Sequence, residues 1–329
     1  MTTILLTGGC GFIGAALCRY VLNETDWRVT VLDKLDEAGT LNRIASLKHE
    51  YPERLRMWWH DLRSPINPVM LRAAGQFDYV AHLAAASHVD RSIVDPTGYV
   101  LDNVLGTAHL LDYVRREHRG AKTLVFSTDE CFGPAPEGVE YDEYSAHCPH
   151  NPYAASKAGA EALCPAYAIT YGMRIVVSHC TNVYGPTQYR EKFVPLVAEK
   201  VSRGEVVQIH TVGGKVASRY YLHVDDAAKA VVTILDRGGV ICGPGSGKYN
   251  ITGDREYDNL FVAERIAGFL GLPLNYELVE NPPNRPRPDA RYALSGAKLK
   301  ALGWAPEVPF DLGLKDALGL NRTVDHHPV

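Results

Sequence analysis

Four consecutive residues, Ser127-Thr128-Asp129-Glu130, bring together two hydroxyl and two carboxyl groups, and Tyr153 and Lys157 follow a short way downstream. A phenol beside an amine can exchange a proton with a substrate hydroxyl. Two adjacent carboxyl groups can serve as acid and base if one keeps its proton while the other is ionised. If these side chains converge on one pocket, they could move both a hydride and a water molecule. The alternative for Asp129-Glu130 is an acidic pair at a helix start or in a solvated turn.

The segments around these residues predict how they are positioned. The apolar run Thr123-Leu124-Val125-Phe126 predicts a buried parallel strand, so Ser127 and its neighbours would lie at the carboxyl end, where open α/β sheets place their sites. Asn151-Pro152 predicts the N-cap and first turn of a helix. Tyr153 and Lys157, four residues apart, would share one face of that helix.

A second motif lies at the N-terminus. The strand-like run Ile4-Leu5-Leu6-Thr7 leads into Gly9, Gly11 and Gly14, which fit G-x-G-x-x-G between a strand and a helix. Such glycines let the backbone approach a pyrophosphate at a helix N-terminus. The next strand ends in Asp33, whose carboxylate would bind ribose hydroxyls and repel a 2′-phosphate, favouring NAD over NADP. A positive nicotinamide and Lys157 would then favour the phenolate of Tyr153.

Composition excludes several classes of protein. The 329 residues have a net charge of −4, which argues against nucleic-acid binding, and contain no apolar run of membrane-spanning length. Seven scattered cysteines without CxxC spacing indicate reduced thiols in a cytoplasmic enzyme, with neither a disulfide framework nor a zinc site. We therefore expect no metal, no nucleic-acid partner and no membrane association.

The order of predicted elements favours an α/β fold with a doubly wound parallel sheet. Strands at 28–32, 57–60, 79–85 and 174–178 alternate with helical segments, including 15–22 and 103–116. Beyond that point the alternation weakens and proline and arginine become frequent. We predict a Rossmann domain over residues 1–182 and a smaller, discontinuously packed α/β substrate domain over 183–329, with an exposed loop at 133–150 above the site.

These motifs resemble the extended short-chain dehydrogenase/reductase family. The resemblance is carried by 8–14, Asp33, 83–91, the Ser127–Glu130 tetrad, Tyr153 with Lys157, and 182–186, and it covers nearly the whole chain. Thr128-Asp129-Glu130 is most similar to the nucleotide-sugar 4,6-dehydratases. This implies that a hexose is oxidised at C4, loses water across C5 and C6, and is reduced at C6 while NAD is recycled.

The same resemblance implies individual roles. Tyr153 would take the C4 hydroxyl proton, Thr128 would bond the C4 oxygen, Glu130 would take the C5 proton and Asp129 would protonate the departing C6 hydroxyl. Lys157 would also bind the nicotinamide ribose. The predicted cofactor contacts are Gly8, Gly9, Gly11, Phe12, Ile13, Gly14, Asp33, Lys34, Asp61, Leu62, Leu83, Ala84, Ala85, Ser87, Asp102, Ser127, Tyr153, Lys157 and Val183. For Asp61 a helix cap is an equally good interpretation.

The resemblance also implies a substrate, a nucleotide-diphosphate sugar of the dTDP- or UDP-glucose type, and a set of residues that bind it. These are Ser87, His88, Thr128, Asn182, Lys192, Phe193, Gln208, Ile209, His210, Arg219, Asn250, Arg285, Asp289 and Tyr292. Arg219 and Arg285 suit a diphosphate because a guanidinium matches phosphate geometry, although a surface role remains open for either arginine taken singly.

The sequence departs from the family pattern at Cys131-Phe132, at Ala86 and in the segment 285–289, and these departures weaken the assignment of base and sugar. A 4-epimerase or a uronate decarboxylase on the same scaffold stays open, although neither would need both Asp129 and Glu130. A non-catalytic NAD sensor is a more remote alternative. The family also implies a homodimer built on a four-helix interface, from helices near 103–117 and 153–171.

Overall fold

The computed structural model describes residues 1–280, 282 and 289–321 of the chain. The strands in this part are β1 (Thr3–Thr7), β2 (Arg28–Asp33), β3 (Leu55–Trp59), β4 (Tyr79–His82), β5 (Lys122–Thr128), β6 (Arg174–Cys180), β7 (Asn182–Tyr184), β8 (Val207–Val212), β9 (Lys215–Val216), β10 (Ser218–His223), β11 (Lys248–Ile251), β12 (Glu256–Asp258), β13 (Tyr276–Glu280) and β14 (Arg291–Tyr292).

The α-helices of the same part are α1 (Phe12–Glu24), α2 (Asn42–Glu50), α3 (Pro68–Leu71), α4 (Val89–Val94), α5 (Pro96–Tyr99), α6 (Gly106–Glu117), α7 (Pro152–Tyr171), α8 (Phe193–Ser202), α9 (Val224–Arg237), α10 (Asn259–Leu270), α11 (Ala297–Ala301) and α12 (Phe310–Ala317). Short 3-10 turns lie at Arg72–Ala74 and Asp129–Phe132, and a π-helical segment lies at Val100–Leu105. No helix of the described residues is long and apolar enough to cross a membrane.

The main sheet has the strand order β11-β6-β5-β4-β1-β2-β3, and all its pairs are parallel. Because the order reverses between β1 and β4, the carboxyl ends of these two strands border a crevice. Helices α1 and α9 pack on one face, while α6 and α7 pack on the other. The predicted doubly wound α/β sheet is confirmed.

The inner strands β1, β4, β5 and β6 are buried along most of their length because both faces of the sheet are covered. Leu124 and Val125 on β5 are essentially without solvent exposure, and each belongs to the core on one side of the sheet. Strand β5 continues to Thr128, so the tetrad begins at its carboxyl end as predicted.

Some predicted element bounds are corrected. Strand β4 ends at His82, so 83–85 lie past its end, where Gly8 packs against Ala84. The helix predicted from Asn103 begins earlier, because a π-helical turn over Val100–Leu105 runs into α6. Strand β6 extends two residues further, to Cys180.

Two smaller sheets follow, with the orders β12-β10-β14, which β7 joins through β10, and β13-β8-β9. Helices α8, α10 and α12 bury a third core against them. Within this half, α9 and β11 return to the first sheet and its core. The domain boundary at 182/183 stays a prediction, and 224–251 pack with the first half.

A buried charge cluster fastens the loop 133–150 to α7. Glu161 Oε2 lies 2.8 Å from His179 Nε2, and its Oε1 lies 2.8 Å from Lys248 Nζ and 3.4 Å from His147 Nε2. Asn250 donates its amide protons to the carbonyls of Tyr141 and Ser295, so its Oδ1 must accept from His179 Nδ1 at 3.0 Å.

The nitrogen and oxygen atoms of His147, Glu161 and His179 lie within 4.8 Å of one another, a spacing that could hold a metal ion. However, the Lys248 ammonium already pairs with Glu161 Oε1 at 2.8 Å, so this carboxylate has a counter-ion without a metal. We therefore interpret the cluster as an ionic anchor. Burial alone would raise the pKa of Glu161, but the neighbouring His179, His147 and Lys248 together hold it below its usual range.

Replacing Glu161 with Gln should lower the free energy of unfolding at pH 7 by about 3 kcal/mol, because His179 and Lys248 lose their buried counter-ion. The folded-state pKa of Glu161 lies below the unfolded value, so its contribution is present above about pH 4.5 and is lost as the pH falls further. Urea unfolding at several pH values would measure both effects. The same change at exposed Glu264 serves as the control, and an equal loss in both variants would contradict the prediction.

Candidate functional site

The first part of the site is the turn between β1 and α1, which is too tight for side chains. Gly8 has a φ of +74°, and a Cβ there would lie 2.6 Å from the backbone nitrogen of Ala84. A Cβ on Gly14 would lie 2.0 Å from the Gly8 carbonyl oxygen. Gly11 is the N-cap of α1, so the first amides of that helix face the crevice. This cradle fits a pyrophosphate at a helix N-terminus.

Asp33 ends β2 beside this turn and is 7% exposed. Its carboxylate accepts bonds from the backbone amides of Cys10 and Leu35, both at 2.9 Å. These bonds fix a negative charge at the edge of the crevice, where it suits ribose hydroxyls and repels a phosphate. Asp102, on the π-helical segment, is bound by Lys34 at 3.3 Å and Arg63 at 2.8 Å.

The second part of the site is the end of β5. Thr128 caps the 3-10 turn Asp129–Phe132, and its hydroxyl donates to Asp129 Oδ1 at 3.1 Å. Asp129 is 3% exposed, and burial followed by the charge of Glu130 raises its pKa to about 7. Its Oδ2 is buried without a hydrogen-bond partner among the described residues. Asp129 is therefore close to half protonated at neutral pH.

Glu130 lies next to Asp129 but has hydrogen-bond donors of its own. Asn151 Nδ2 donates to Glu130 Oε2 at 2.8 Å, and the Tyr292 hydroxyl lies 3.4 Å from the same oxygen. Glu130 therefore has hydrogen-bond partners for its side chain, which Asp129 Oδ2 lacks among the described residues. The two neighbouring carboxyl groups thus have different surroundings, which is the condition for one acid and one base.

Helix α7 supplies the remaining groups. Its N-cap is Asn151, with Pro152 in the first turn, as predicted. Tyr153 hydrogen-bonds with Thr128, while the Lys157 ammonium donates to the Phe126 carbonyl at 2.6 Å. Burial lowers the pKa of Lys157, and burial together with Glu130 raises the pKa of Tyr153 well above its usual value. The joint effect of Lys157 and a bound NAD on the Tyr153 phenolate stays a prediction.

These two parts open into one cavity of about 1090 Å³, large enough for a dinucleotide and a second ligand. It is lined by most of the predicted positions: Gly8, Gly11, Phe12, Ile13, Gly14, Asp33, Lys34, Asp61, Leu62, Leu83, Ala84, Ala85, Ser87, His88, Asp102, Ser127, Thr128, Asp129, Glu130, Tyr153, Lys157, Asn182, Val183, Lys192 and Phe193. Gly9 does not line it, because a Cβ there would meet Val31 on the core side.

Several predicted substrate residues lie away from the cavity wall. Gln208 is exposed and donates to Glu277, while Ile209 is buried in the third core; His210 follows them on β8. Asn250 is fully buried, with its side-chain amide engaged in the loop anchor. Arg285 lies outside the described residues.

Arg219, Asp289 and Tyr292 form a separate group beside the carboxyl pair. Arg219 donates to the carbonyls of Asp289 and Ala290 and stacks 4.5 Å above the Tyr292 ring. Its charge lowers the pKa of Asp129, against the larger effect of burial. In this structure Arg219 therefore holds the segment that carries Tyr292.

The structure also adds cavity residues that the sequence did not indicate. Arg91 reaches across the opening to Glu37 at 3.1 Å and Glu191 at 2.8 Å, and Tyr189 lies below its guanidinium. Arg43, which does not line the cavity, donates to the Thr187 carbonyl at 3.1 Å. These contacts link loops far apart in the sequence and follow no periodicity, so no local signal identified them.

Comparison with known proteins agrees with this geometry. A family model described as GDP-mannose 4,6 dehydratase matches residues 5–317. A dTDP-glucose 4,6-dehydratase of Escherichia coli is 34% identical over 338 aligned residues, covering 94% of this chain and 91% of the relative. The enzyme of the same description from Streptomyces niveus is 38% identical, covering 96% and 91%.

Solved structures give the same result. A dTDP-glucose 4,6-dehydratase from Streptomyces venezuelae, crystallised with NAD, superimposes with a TM-score of 0.86 at 32% identity, covering 96% of each chain. A UDP-glucose 4-epimerase from Thermus thermophilus, also with NAD, has a TM-score of 0.85 at 30% identity and covers 97% of this chain and 98% of its own.

Proposed function

The chain belongs to the GDP-mannose 4,6 dehydratase family, and from that membership and the geometry of its site we propose that it is an NAD-dependent 4,6-dehydratase of a nucleotide-diphosphate hexose. The first candidate substrates are dTDP-glucose and UDP-glucose, and the product is the 4-keto-6-deoxy sugar nucleotide. The relatives named for dTDP-glucose support dTDP over UDP.

One observation carries the proposal. Two adjacent carboxyl groups line the cavity at the end of β5, and burial raises the pKa of Asp129 to about 7 while Glu130 accepts hydrogen bonds from Asn151 and Tyr292. Oxidation of an alcohol needs one acid–base group, which Tyr153 provides. An elimination needs a further base and a further acid, and this pair supplies both.

The cofactor residues fit NAD, because the glycine turn leaves room for a pyrophosphate and Asp33 faces the ribose position. When bound, NAD supplies a hydride acceptor and later a hydride donor, and its positive ring favours the phenolate of Tyr153. Tyr153 and Thr128 hold the C4 oxygen, and Tyr153 takes the C4 hydroxyl proton. Lys157 binds the ribose beside them.

The carboxyl pair then performs the elimination. The C4 ketone acidifies the C5–H bond, and Glu130 accepts that proton. The protonated form of Asp129, which its raised pKa keeps available at neutral pH, gives its proton to the C6 oxygen as the C–O bond breaks, so water leaves. The buried position of Asp129 excludes bulk water from the acid.

We further propose a cytoplasmic homodimer. The seven cysteines are all free thiols, as expected in a reducing compartment. Exposed apolar side chains lie on the helical segments predicted for the four-helix interface, among them Leu105, Ile169 and Tyr171, of which Ile169 is 68% exposed. Sedimentation equilibrium should give twice the chain mass of 36.2 kDa, and a single-chain mass would contradict the dimer.

The function is tested by incubating the NAD-loaded protein with dTDP-glucose, UDP-glucose, UDP-N-acetylglucosamine, UDP-glucuronate and the matching GDP and CDP sugars. Mass spectrometry should show that at least one of these sugars loses one water, while the amount of NAD stays unchanged overall. An altered C4 configuration without mass change would mean an epimerase, and loss of carbon dioxide a decarboxylase.

Glu130→Gln should lower dehydration by a factor of about 10² to 10⁴, since a general base is removed. Exposed Glu264→Gln is the matched control and should behave as wild type. An epimerase does not need the Glu130 carboxylate, so a fully active Glu130→Gln enzyme would contradict the dehydratase.

A further inference from the structure

A line of hydrogen-bonding groups leads from Glu130 to the half-exposed side chain of His150. The Tyr292 hydroxyl lies 3.4 Å from Glu130 Oε2 and is also hydrogen-bonded to Asp289 Oδ2. The other oxygen of Asp289 lies 3.1 Å from His150 Nδ1. The chain of groups ends there, because the His150 side chain is 45% exposed.

The tyrosine in the middle of this line has one proton for two carboxyl groups. It can donate to only one of them, so both contacts are hydrogen bonds only when the other carboxyl group is protonated and donates to the phenol oxygen. A proton held by Glu130 is thus interchangeable with a proton held by Asp289, through a shift across Tyr292. Tyr292 is 5% exposed and the Asp289 side chain 10% exposed, so water competes little for these bonds.

The surrounding contacts hold this line in place. Arg219 binds the backbone carbonyls of Asp289 and Ala290 and stacks on the Tyr292 ring. On the other side, Asn151, next to His150, is the N-cap of α7 and donates to Glu130. Both ends of the line are therefore held at the start of α7: His150 directly precedes its N-cap, and Glu130, just after β5, accepts a hydrogen bond from that N-cap.

We propose that Tyr292, Asp289 and His150 form a proton relay that connects the base Glu130 with solvent. This rests on the proposed dehydratase function. When the C5–H bond breaks, its electron pair stays with the sugar and its proton forms an O–H bond on Glu130. Glu130 passes a proton to the Tyr292 oxygen, and Tyr292 gives its own proton to Asp289 Oδ2. Asp289 then passes a proton from Oδ1 to the unprotonated Nδ1 of His150, and His150 Nε2 releases its own proton to water.

The reverse transfer returns a solvent proton through Glu130 to C5 when the sugar is reduced at C6. No electron leaves the sugar in either transfer, and each group ends the cycle with its original proton count. Tyr292, Asp289 and His150 act through Glu130 and are positioning and relay residues. The relay has one measurable consequence. The hydrogen at C5 exchanges with solvent during turnover even while the sugar covers the cavity side of Glu130.

The test uses the NAD-loaded enzyme in ordinary water with the nucleotide sugar of the panel that loses water, dTDP-glucose first, deuterated at C5. Wild type should form product lighter by one water and without the C5 deuterium. Tyr292→Phe should raise the deuterium retained per product molecule severalfold, because the deuteron on Glu130 returns to C5 before it can exchange. Tyr220→Phe, which removes a hydroxyl bonded only to Glu140 among the described residues, is the matched control and should lose deuterium like wild type.

A second variant keeps the proposal testable if Tyr292→Phe does not turn over. His150→Asn should also raise deuterium retention, and added imidazole should restore its loss to solvent, which a purely structural role would not produce. Retention equal to wild type in each variant that turns over would overturn the relay, and so would retention in His150→Asn that imidazole leaves unchanged. If wild type dehydrates no nucleotide sugar of the panel, the proposed function fails, and that outcome is distinct from normal dehydration with unchanged exchange.

Discussion

The structure depends on the burial of one carboxyl group beside another. Asp129 lies at the end of a strand covered on both faces, so water cannot stabilise its charge, and the neighbouring Glu130 adds repulsion. The pKa of Asp129 is consequently raised to about 7. If Asp129 were an ordinary exposed aspartate, it would hold no proton to give to a leaving hydroxyl, and the pair would contain two bases and no acid.

The fold supplies this environment through elements distant in the sequence. The parallel sheet places the ends of β1, β4 and β5 along one edge, which joins the glycine turn to the carboxyl pair in one cavity. The segment 289–292 closes the other side of Glu130, held by Arg219. The loop 133–150 is anchored through Glu161 on the same helix that carries Tyr153 and Lys157. Site and anchor thus share α7.

Sequence predicted those parts of the site in which local pattern dictates position. The glycine turn, Asp33 and the Tyr153–Lys157 spacing each follow from one strand–turn–helix unit. The sequence could not predict contacts between loops, such as that of Arg91 with Glu191. It also could not predict that the Asn250 side chain would hydrogen-bond within the loop anchor and not to a substrate. The return of α9 and β11 to the first sheet was missed for the same reason, since strand pairing at long range has no local signal.

The most direct test of the account is the titration of Asp129 itself. Carboxyl-¹³C aspartate spectra of the NAD-loaded protein, with Asp129→Asn used to assign the resonance, would follow its protonation between acid and alkaline pH. The account predicts a resonance that titrates near pH 7, well above the ordinary aspartate value of 3.8. A resonance that titrates near the ordinary value would leave the site without its acid and would contradict the proposed elimination.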